Sequence, residues 1–351
     1  MKKILILIGI IILILIFLGI VKRMKEKSDL ILLNTIDSTS SKITDQASTS
    51  SSADFFEYAF GEYELAIDHG GLTRYYRAYV PKSYDKNKKT PLVIYVHGGG
   101  GSSASSKNDG LYSYSDKYGF ILLSPAGTGV LKNMLLVWNY GPYLIGENIV
   151  NRPNYATEHN IDDIGFFSKM IDDAESKFNI DKNKIYMTGI SQGGMMSYRS
   201  ACELSNRITA VAPVAPPASL ANCNPSRPVP IMHIHGTADP CAPYNGGISE
   251  GCLGAKKELF QSAQEMINSW LNTNSCLSKS SVAYQKGNAT CIIYEQCGDD
   301  AEVEFCTIEG GGHTWPSGNQ YLPKSKIGPV SYDISFDQIW EFFQKYSMSD
   351  I

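Results

Sequence analysis

A serine flanked by glycines separates a β-type run from a helical run at residues 184–198. The run Ile185-Tyr-Met187 is apolar and rich in strand-forming residues, and the motif Gly189-Ile-Ser-Gln-Gly193 follows it. The next apolar side chains have the spacing of one helical face: Met195, Met196, Tyr198 and Ala201. Glycine is needed on both sides of a turn so sharp that a Cβ would collide with the returning backbone. The pattern therefore predicts a strand, a strained turn that presents Ser191, and a helix.

Other segments predict strands that helices cover on both faces. Four mostly continuous apolar runs have the character of parallel strands, at residues 91–97, 120–124, 208–212 and 229–235. Between them, residues 161–178 carry apolar side chains at helical intervals, and two helices open on capping boxes, Ser262 with Glu265 and Ser335 with Gln338. This alternation predicts an α/β fold, a doubly wound, mostly parallel sheet with helices on both faces.

The candidate catalytic residues follow the ends of predicted strands, where the ligand site of such a sheet lies. An alcohol is a weak nucleophile at neutral pH, so Ser191 needs a base, and histidine has a suitable pKa. In hydrolases with this kind of turn the base comes last in the chain, and His313 is the only histidine beyond Asp239. Asp239 lies just past a strand end and would orient His313. The sequence predicts a triad of Ser191, Asp239 and His313.

Backbone N–H groups are the expected ligands for the negative oxygen that forms when a serine attacks a carbonyl. Gln192, directly after the nucleophile, supplies one. The glycine run after His97 supplies the other, and we choose Gly99, with Gly98 and Gly100 left open. Two aromatic residues in glycine-rich loops, Trp315 and Trp138, are assigned to the substrate pocket, with packing in the core as the open alternative for both.

The remaining strand histidines are interpreted as neutral, hydrogen-bonded core residues: His97, His233 and His235. His233 and His235 would share one strand face and could form a metal pair, but the sequence shows no third ligand nearby. We therefore expect no metal and no cofactor.

The N-terminus predicts a membrane anchor. After a short flank at residues 1–3, residues 4–21 form an unbroken apolar run that is just long enough to cross a bilayer. The run lacks an Ala-x-Ala cleavage site, so we expect a retained signal anchor. Residues 22–53, rich in Ser and Thr over 38–52, are expected to form a flexible stalk, and residues 54–351 the catalytic domain.

Cysteine usage and charge indicate where the protein works. The cysteines fall in the second half of the chain without a C-x-x-C pair, which predicts disulfides and an oxidising compartment: Cys202, Cys223, Cys241, Cys252, Cys276, Cys291, Cys297 and Cys306. The net charge of −4 comes without a basic cluster, so we expect no nucleic-acid partner. We expect an extracellular monomer, secreted or tethered by its anchor.

Five blocks in order resemble secreted α/β-hydrolase esterases of the polyhydroxybutyrate depolymerase and feruloyl esterase type. The blocks are Val96-His-Gly-Gly-Gly-Gly101, Ile161-Asp-Asp-Ile-Gly-Phe166, Ile185-Tyr-Met-Thr-Gly-Ile-Ser-Gln-Gly-Gly-Met-Met196, His235-Gly-Thr-Ala-Asp239 and Gly310-Gly-Gly-His-Thr-Trp-Pro316. The resemblance implies the α/β-hydrolase fold, a Ser/Asp/His triad at the positions named above and a Cys276–Cys297 disulfide. The pairs 202–223, 241–252 and 291–306 are expected from proximity alone, among many possible connectivities.

The resemblance implies hydrolysis of carboxylic esters through an acyl-enzyme. The substrate is expected to be a small-molecule or polysaccharide-linked ester with an acetyl, feruloyl-type or hydroxyalkanoate acyl group. Residues 141–159 form a segment that is enlarged relative to the family pattern, which leaves substrate choice open. Two alternatives also stay open: a non-catalytic, membrane-tethered binding module on a hydrolase fold, and a serine peptidase with the same triad.

Overall fold

The computed structural model describes residues 58–131, 133–145, 148–249, 257–277 and 279–348. They belong to one compact unit, Phe55–Ile351. The expected flank, anchor and stalk at residues 1–53, and also Cys252, lie outside the described residues. Within the described ranges, no helix has the length and apolar character required to cross a membrane.

Most of the strands belong to one ten-stranded sheet with the order β1-β2-β4-β3-β7-β8-β9-β14-β13-β12. The strands are β1 (Gly61–His69), β2 (Leu72–Val80), β3 (Thr90–Val96), β4 (Ile121–Pro125), β5 (Tyr143–Ile145), β6 (Asn148–Val150), β7 (Ile180–Ile190), β8 (Ala210–Val214), β9 (Ile231–Gly236), β10 (Gly247–Ile248), β11 (Leu259–Phe260), β12 (Ser280–Lys286), β13 (Ala289–Tyr294) and β14 (Val303–Ile308). The pairs β5–β6 and β10–β11 form separate small hairpin sheets.

The centre of the large sheet is parallel. Strands β4, β3, β7, β8, β9 and β14 pair in parallel, and antiparallel strands continue the sheet at both edges. The register places Val96 opposite Gly189 and Ile308 opposite Gly236, so the loops that follow these strands leave the sheet along one edge. Parallel strands bring their carboxyl ends to the same edge, and the candidate catalytic residues follow there.

The described helices are α1 (Ser105–Asn108), α2 (Leu111–Tyr118), α3 (Tyr155–Glu158), α4 (Asp163–Lys177), α5 (Gln192–Glu203), α6 (Ala263–Thr273), α7 (Lys324–Ile327) and α8 (Phe336–Gln344). Neighbouring side chains of a strand point to opposite faces, and β3 shows this clearly. Leu92 and Ile94 enter a core that contains the apolar faces of α4, α5 and α6. Val93 and Tyr95 enter a second core that contains residues of α2 and α8. Helices therefore cover both faces of the sheet.

The sequence located the central elements to within a few residues. The four apolar runs correspond to β3, β4, β8 and β9, and residues 161–178 to α4. Both capping boxes are present at the starts of α6 and α8. The structure adds antiparallel edge strands that the sequence analysis did not identify. In β1, Tyr63, Leu65 and Ile67 alternate with more polar residues, a strand pattern that was missed, whereas β12 is mostly exposed and carries no clear pattern.

Three described disulfides fasten the second half of the chain. They join Cys202 to Cys223, Cys276 to Cys297 and Cys291 to Cys306, which are three of the pairs named from the sequence. The last pair bridges neighbouring positions of β13 and β14. Cys241 is also disulfide-bonded.

A buried carboxyl on β14 makes the stability of the fold depend on pH. Glu304 is 5% exposed, and burial raises its pKa to about 7 even though Lys345 opposes the shift. Between the unfolded value of 4.5 and the folded value, the folded state binds more protons than the unfolded state. The free energy of unfolding therefore falls as the pH rises through this window, and the full penalty is present above it.

We expect Glu304→Gln to raise the free energy of unfolding by about 1 to 3 kcal/mol near pH 8, because the amide carries no charge to bury. At about pH 4, where the carboxyl is mostly protonated in both states, the variant and the parent should unfold at similar denaturant concentrations. Urea unfolding at both pH values measures the difference. A variant that is no more stable than the parent near pH 8 would contradict the pKa assignment.

Candidate active site

Ser191 lies on the sharp turn between β7 and α5. Its backbone has φ 59° and ψ −120°, and residues other than glycine rarely adopt a positive φ. The Ser191 N–H donates to the carbonyl oxygen of Val214 on the adjacent strand, at 2.9 Å. A Cβ at Gly189 or at Gly193 would collide with the carbonyl oxygen of Val96 at the end of β3. The two glycines are therefore required by the close approach of β3 to the turn.

His313 and Asp239 form a buried hydrogen-bonded pair. Asp239 follows β9, and His313 follows β14, through loops at the same edge of the sheet. His313 Nδ1 donates to Asp239 Oδ2 at 2.7 Å, and the two side chains are 6% and 0% exposed. A carboxylate oxygen can only accept, so the proton lies on Nδ1. In the neutral ring, Nε2 is then the nitrogen that can accept a proton.

The surroundings of Asp239 keep it charged. Its second oxygen, Oδ1, accepts hydrogen bonds from the backbone N–H groups of Cys241 and Ala242, both at 2.8 Å. Burial alone would raise the pKa of Asp239, but the facing His313, which donates to it, and the nearby His235, whose Nε2 lies 3.5 Å from Oδ2, outweigh burial and hold the pKa well below its usual range. The carboxylate is therefore a fixed negative charge behind His313.

Ser191 and His313 line the same cavity, which has a volume of about 840 Å³. Its apolar lining includes Leu135, Val137 and Phe260. Among the described residues, no hydrogen bond joins Ser191 Oγ to His313 Nε2, and such catalytic hydrogen bonds often tighten only when substrate binds. The structure thus brings His313 and Asp239 together directly and Ser191 to the same cavity.

The glycine run after β3 lies against the nucleophile. A Cβ at Gly98 would lie 3.4 Å from Ser191 Cβ, and one at Gly99 would lie 2.7 Å from Gln192 Nε2. The carbonyl oxygen of Gly98 accepts two hydrogen bonds, one from the His97 ring and one from the Gly101 N–H. In a trans peptide the C=O and the next N–H point in opposite directions, so the Gly99 N–H points away from these donors.

The other expected donor belongs to Gln192, the first residue of α5. The first N–H groups of a helix have no partner within the helix, so this one is available to a ligand. The N–H groups of Gly100 and Gly101 are already bonded, to Leu136 and Gly98 respectively. This removes Gly100 from the candidates and keeps Gly99, with Gly98 still open, as the partner of Gln192 in the expected oxyanion site.

His97 holds this loop, a role that the sequence analysis did not assign. Its Nδ1 lies 2.7 Å from the Gly98 carbonyl oxygen and its Nε2 accepts the Gly127 N–H at 3.1 Å. The carbonyl can only accept, so the proton is on Nδ1. Burial lowers the pKa of His97 to about 4, although the hydrogen bond to Gly98 opposes the shift. His97 is therefore neutral at physiological pH, as the sequence predicted, and fixes the Gly98–Gly99 peptide.

If that peptide supplies an oxyanion donor, His97→Phe should lower kcat by about 10- to 100-fold, less than the loss expected when a donor is removed outright. His97→Asn, whose amide N–H can still donate toward Gly98, should recover part of the loss. Steady-state kinetics with 4-nitrophenyl acetate measures both variants. An unchanged kcat in a folded His97→Phe variant would contradict this role.

The expectation that Trp138 and Trp315 line the cavity is wrong. Both side chains are almost fully buried, and neither contributes to the cavity lining. Trp138 donates its ring N–H to the His97 carbonyl oxygen at 2.9 Å and supports the glycine loop from behind. Trp315 packs edge-on against Tyr95, with 5.1 Å between the ring centroids. The large apolar rings are more stable in the core, one layer behind the cavity wall.

His233 and His235 belong to a buried hydrogen-bonded chain. Tyr198 OH lies 2.6 Å from His233 Nδ1, His233 Nε2 lies 3.0 Å from His235 Nδ1, and His235 Nε2 lies 2.8 Å from the Ala242 carbonyl oxygen. The terminal carbonyl fixes every proton: each ring donates from Nε2, and Tyr198 donates to His233. All four ring nitrogens are engaged, so these rings are core histidines that support the loop after Asp239.

The sequence of residues 83–250 matches the protein-family model described as Phospholipase/Carboxylesterase. Feruloyl esterase B of Piromyces equi is 28% identical over 286 residues, which are 76% of this chain and 44% of that protein. The bifunctional acetylxylan esterase/xylanase XynS20E of Neocallimastix patriciarum is 24% identical over 280 residues, 79% of this chain and 34% of that protein. The chain spans less than half of the length of these two relatives.

The solved structure of acetyl xylan esterase from Aspergillus awamori has a TM-score of 0.56 and 16% identity to this chain, with 81% of this chain and 99% of that one covered. By fold, this chain is an α/β-hydrolase. The predicted fold class is thereby confirmed, and so is the resemblance to esterases of the feruloyl type that the sequence motifs indicated. In this α/β-hydrolase, the loops that carry Ser191, Asp239 and His313 leave the central strands at the edge where ligands bind.

Proposed function

We propose that this α/β-hydrolase is a serine carboxylic ester hydrolase that works through an acyl-enzyme. Ser191 is the nucleophile, His313 the general base and acid, and Asp239 the group that orients His313. The N–H groups of Gly99 and Gln192 form the oxyanion site. The whole machinery lies on loops and helix starts that a rigid parallel sheet positions.

In the first half of the reaction Ser191 Oγ attacks the ester carbonyl carbon while His313 Nε2 takes the hydroxyl proton. The carbonyl electrons move to the oxygen, whose negative charge the two N–H groups stabilise. The intermediate collapses, the C–O bond to the alcohol breaks, and His313 returns its proton to that alcohol. Water then repeats the sequence on the acyl-enzyme and releases the acid and Ser191.

The observation that carries this proposal is the hydrogen bond of 2.7 Å between His313 Nδ1 and Asp239 Oδ2 at the cavity that Ser191 also lines. It fixes the tautomer that a general base needs. The names of the relatives, a feruloyl esterase and an acetylxylan esterase, support ester hydrolysis as the reaction.

The substrates proposed are small-molecule or polysaccharide-linked esters with acetyl, feruloyl-type or hydroxyalkanoate acyl groups. A panel of 4-nitrophenyl acetate, methyl ferulate and 3-hydroxybutyryl esters tests the proposal, with a matching amide for each ester. Turnover of at least one ester with much slower turnover of its amide is the expected result. Faster turnover of the amides would favour a peptidase instead.

We place the enzyme outside the cell as a monomer, secreted or held by an anchor at residues 4–21. The three described disulfides support an oxidising compartment. The apolar run of residues 4–21 supports the anchor. Retention of the full chain in the membrane fraction, and its loss in a chain that begins at residue 54, would support tethering. Equal solubility of the two would contradict it.

A further inference from the structure

One side of the cavity is polar and is centred on Asp109. This residue follows α1 directly, and it is the only carboxylate among the described residues that line the cavity. Asn108, Asn319 and Tyr321 line the cavity beside it. The mechanism proposed above uses none of these side chains, so this polar wall has no assigned role.

A buried phenol holds Asp109 in place. The Tyr95 hydroxyl donates to Asp109 Oδ2 in a short hydrogen bond. Tyr95 lies on β3 and is 1% exposed, and Trp315 packs edge-on against its ring. Because the ring is fixed in the core, it fixes the direction in which the carboxylate points.

The second oxygen of Asp109 is available to a ligand. Across the described part of the chain, no side chain or backbone group is seen to donate to Oδ1, and no cation pairs with the carboxylate. Asp109 lines the cavity and its Oδ1 is not fully buried, so a ligand in the cavity can reach this oxygen. Burial raises the pKa of Asp109 to about 6, although the Tyr95 hydrogen bond opposes the shift. At neutral pH the cavity therefore contains a poorly solvated acceptor.

The polar wall is connected to the catalytic residues. Asn319 Nδ2 donates to the Asn108 carbonyl oxygen, and Tyr321 OH donates to the His313 carbonyl oxygen at 3.3 Å. Asp109 is close enough to Tyr321 to raise its pKa, after the larger effect of burial. Asp109, Ser191 and His313 also line one cavity, so a substrate whose ester lies at Ser191 can place another group at Asp109.

We infer that Asp109 forms a subsite that binds a hydroxyl group of the ester substrate, with Tyr95 fixing the carboxylate and Tyr321 beside it. A hydroxyl is the ligand chosen because the Asp109 carboxylate is one strong acceptor and its neighbours in the cavity wall are neutral. These neighbours are the phenol of Tyr321 and the amides of Asn108 and Asn319. This inference rests on the proposed ester hydrolysis. It narrows the substrates to esters that carry a hydroxyl on either the acyl or the alcohol part.

Two matched pairs of esters distinguish these two sources of the hydroxyl. For the acyl part the pair is methyl ferulate and methyl 3,4-dimethoxycinnamate, which differ only in whether the ring hydroxyl is free or methylated. For the alcohol part the pair is acetylated xylotriose and the same compound with its free hydroxyls methylated. The parent enzyme should prefer the hydroxyl form in at least one pair.

Asp109→Asn keeps the shape of the side chain and removes its charge. We expect it to lower the preference for the hydroxyl form, measured as a ratio of kcat/KM values, by about 10-fold, because a hydrogen bond to a charged group is stronger than one to an amide. The loss should lie in KM rather than in kcat. Hydrolysis of 4-nitrophenyl acetate, which carries no hydroxyl, should change little.

Asp172→Asn is the matched control, because Asp172 pairs with Arg207 on the exposed surface of α4. The double variant Tyr95→Phe and Asp109→Leu provides a second test. It removes the Tyr95 hydroxyl together with the carboxylate that accepts from it, so no buried hydroxyl is left without an acceptor. It should abolish the preference while 4-nitrophenyl acetate is still hydrolysed, which shows that the variant folds.

If the parent and Asp109→Asn share the same ratio in both pairs while both hydrolyse 4-nitrophenyl acetate, the subsite is wrong and the esterase function stands. A parent without preference in either pair overturns the subsite equally. If the folded parent hydrolyses no ester at all, the proposed function fails and the subsite fails with it.

Discussion

Replacement of Ser191 by alanine is expected to lower kcat toward 4-nitrophenyl acetate by about 10⁴- to 10⁶-fold, because the acyl-enzyme cannot form without the hydroxyl. KM should change much less, since Oγ contributes little to ground-state binding. The fold should survive, because the substitution keeps the backbone N–H at this position that donates to the Val214 carbonyl oxygen. Steady-state kinetics, with circular dichroism to verify folding, measures the effect.

Ser176→Ala is the matched control for this experiment. Ser176 lies on the exposed surface of α4, and its hydroxyl donates to the Asp173 carbonyl oxygen. The control should keep the parent's kcat. If Ser191→Ala also kept it, the nucleophile would have to be another group. If the parent itself showed no turnover and Ser191→Ala kept the protein's biological effect, a binding module would be the better description.

Asp239→Asn is expected to lower kcat by about 10⁴-fold with little change in the position of the side chain. The amide can donate to His313 Nδ1, which would move the ring proton to Nε2 and remove the base. The two N–H groups of Cys241 and Ala242 that now bond Asp239 Oδ1 should keep the side chain oriented. The large loss thus tests the tautomer rather than the presence of a contact.

The pair Asp172→Asn and Asp239→Asn separates this effect from any general change in charge. Each removes one negative charge, but only Asp239 touches the candidate base. Nuclear magnetic resonance of the ring protons can follow the tautomer of His313 in the parent and in Asp239→Asn. A proton that stays on Nδ1 in the variant, together with normal kcat, would contradict the assigned role.

The sequence predicted the central sheet and the triad positions because both produce local patterns. Buried parallel strands are continuous apolar runs, and the turn at Ser191 needs glycines at fixed places. The order of Ser191, Asp239 and His313 in the chain was enough to choose one histidine among several. The structure then brings Ser191 and the His313–Asp239 pair to one cavity from distant parts of the chain.

The cavity wall and the tryptophans could not be predicted in the same way. Whether an aromatic ring lines a cavity or packs behind its wall depends on residues from other parts of the chain that pack around the ring. The local sequence around the ring does not indicate which residues these are. Trp138 and Trp315 lie in loops close to site residues, yet both are core residues. Asp109 reaches the cavity that His313 also lines only through tertiary packing, so its sequence position between two short helices carried no signal.

The role of His97 shows an intermediate case. The sequence identified the residue as a neutral core histidine at a strand end, and the hydrogen bonds to Gly98 and Gly127 agree with that interpretation. Its contact with the loop beside Ser191 was still missed. A histidine directly before a glycine run at a strand end is a signal that could have suggested it.

Covalent labelling with a fluorophosphonate probe, followed by mass spectrometry of the labelled peptide, identifies the nucleophile without any assumption about the substrate. We expect a stoichiometric adduct on Ser191 in the parent, a greatly slowed reaction in His313→Ala, and no adduct on Ser105 or Ser249, which line the same cavity. A folded protein that resists the probe, or that carries the adduct on one of those other serines, would contradict the assignment of Ser191 as the nucleophile.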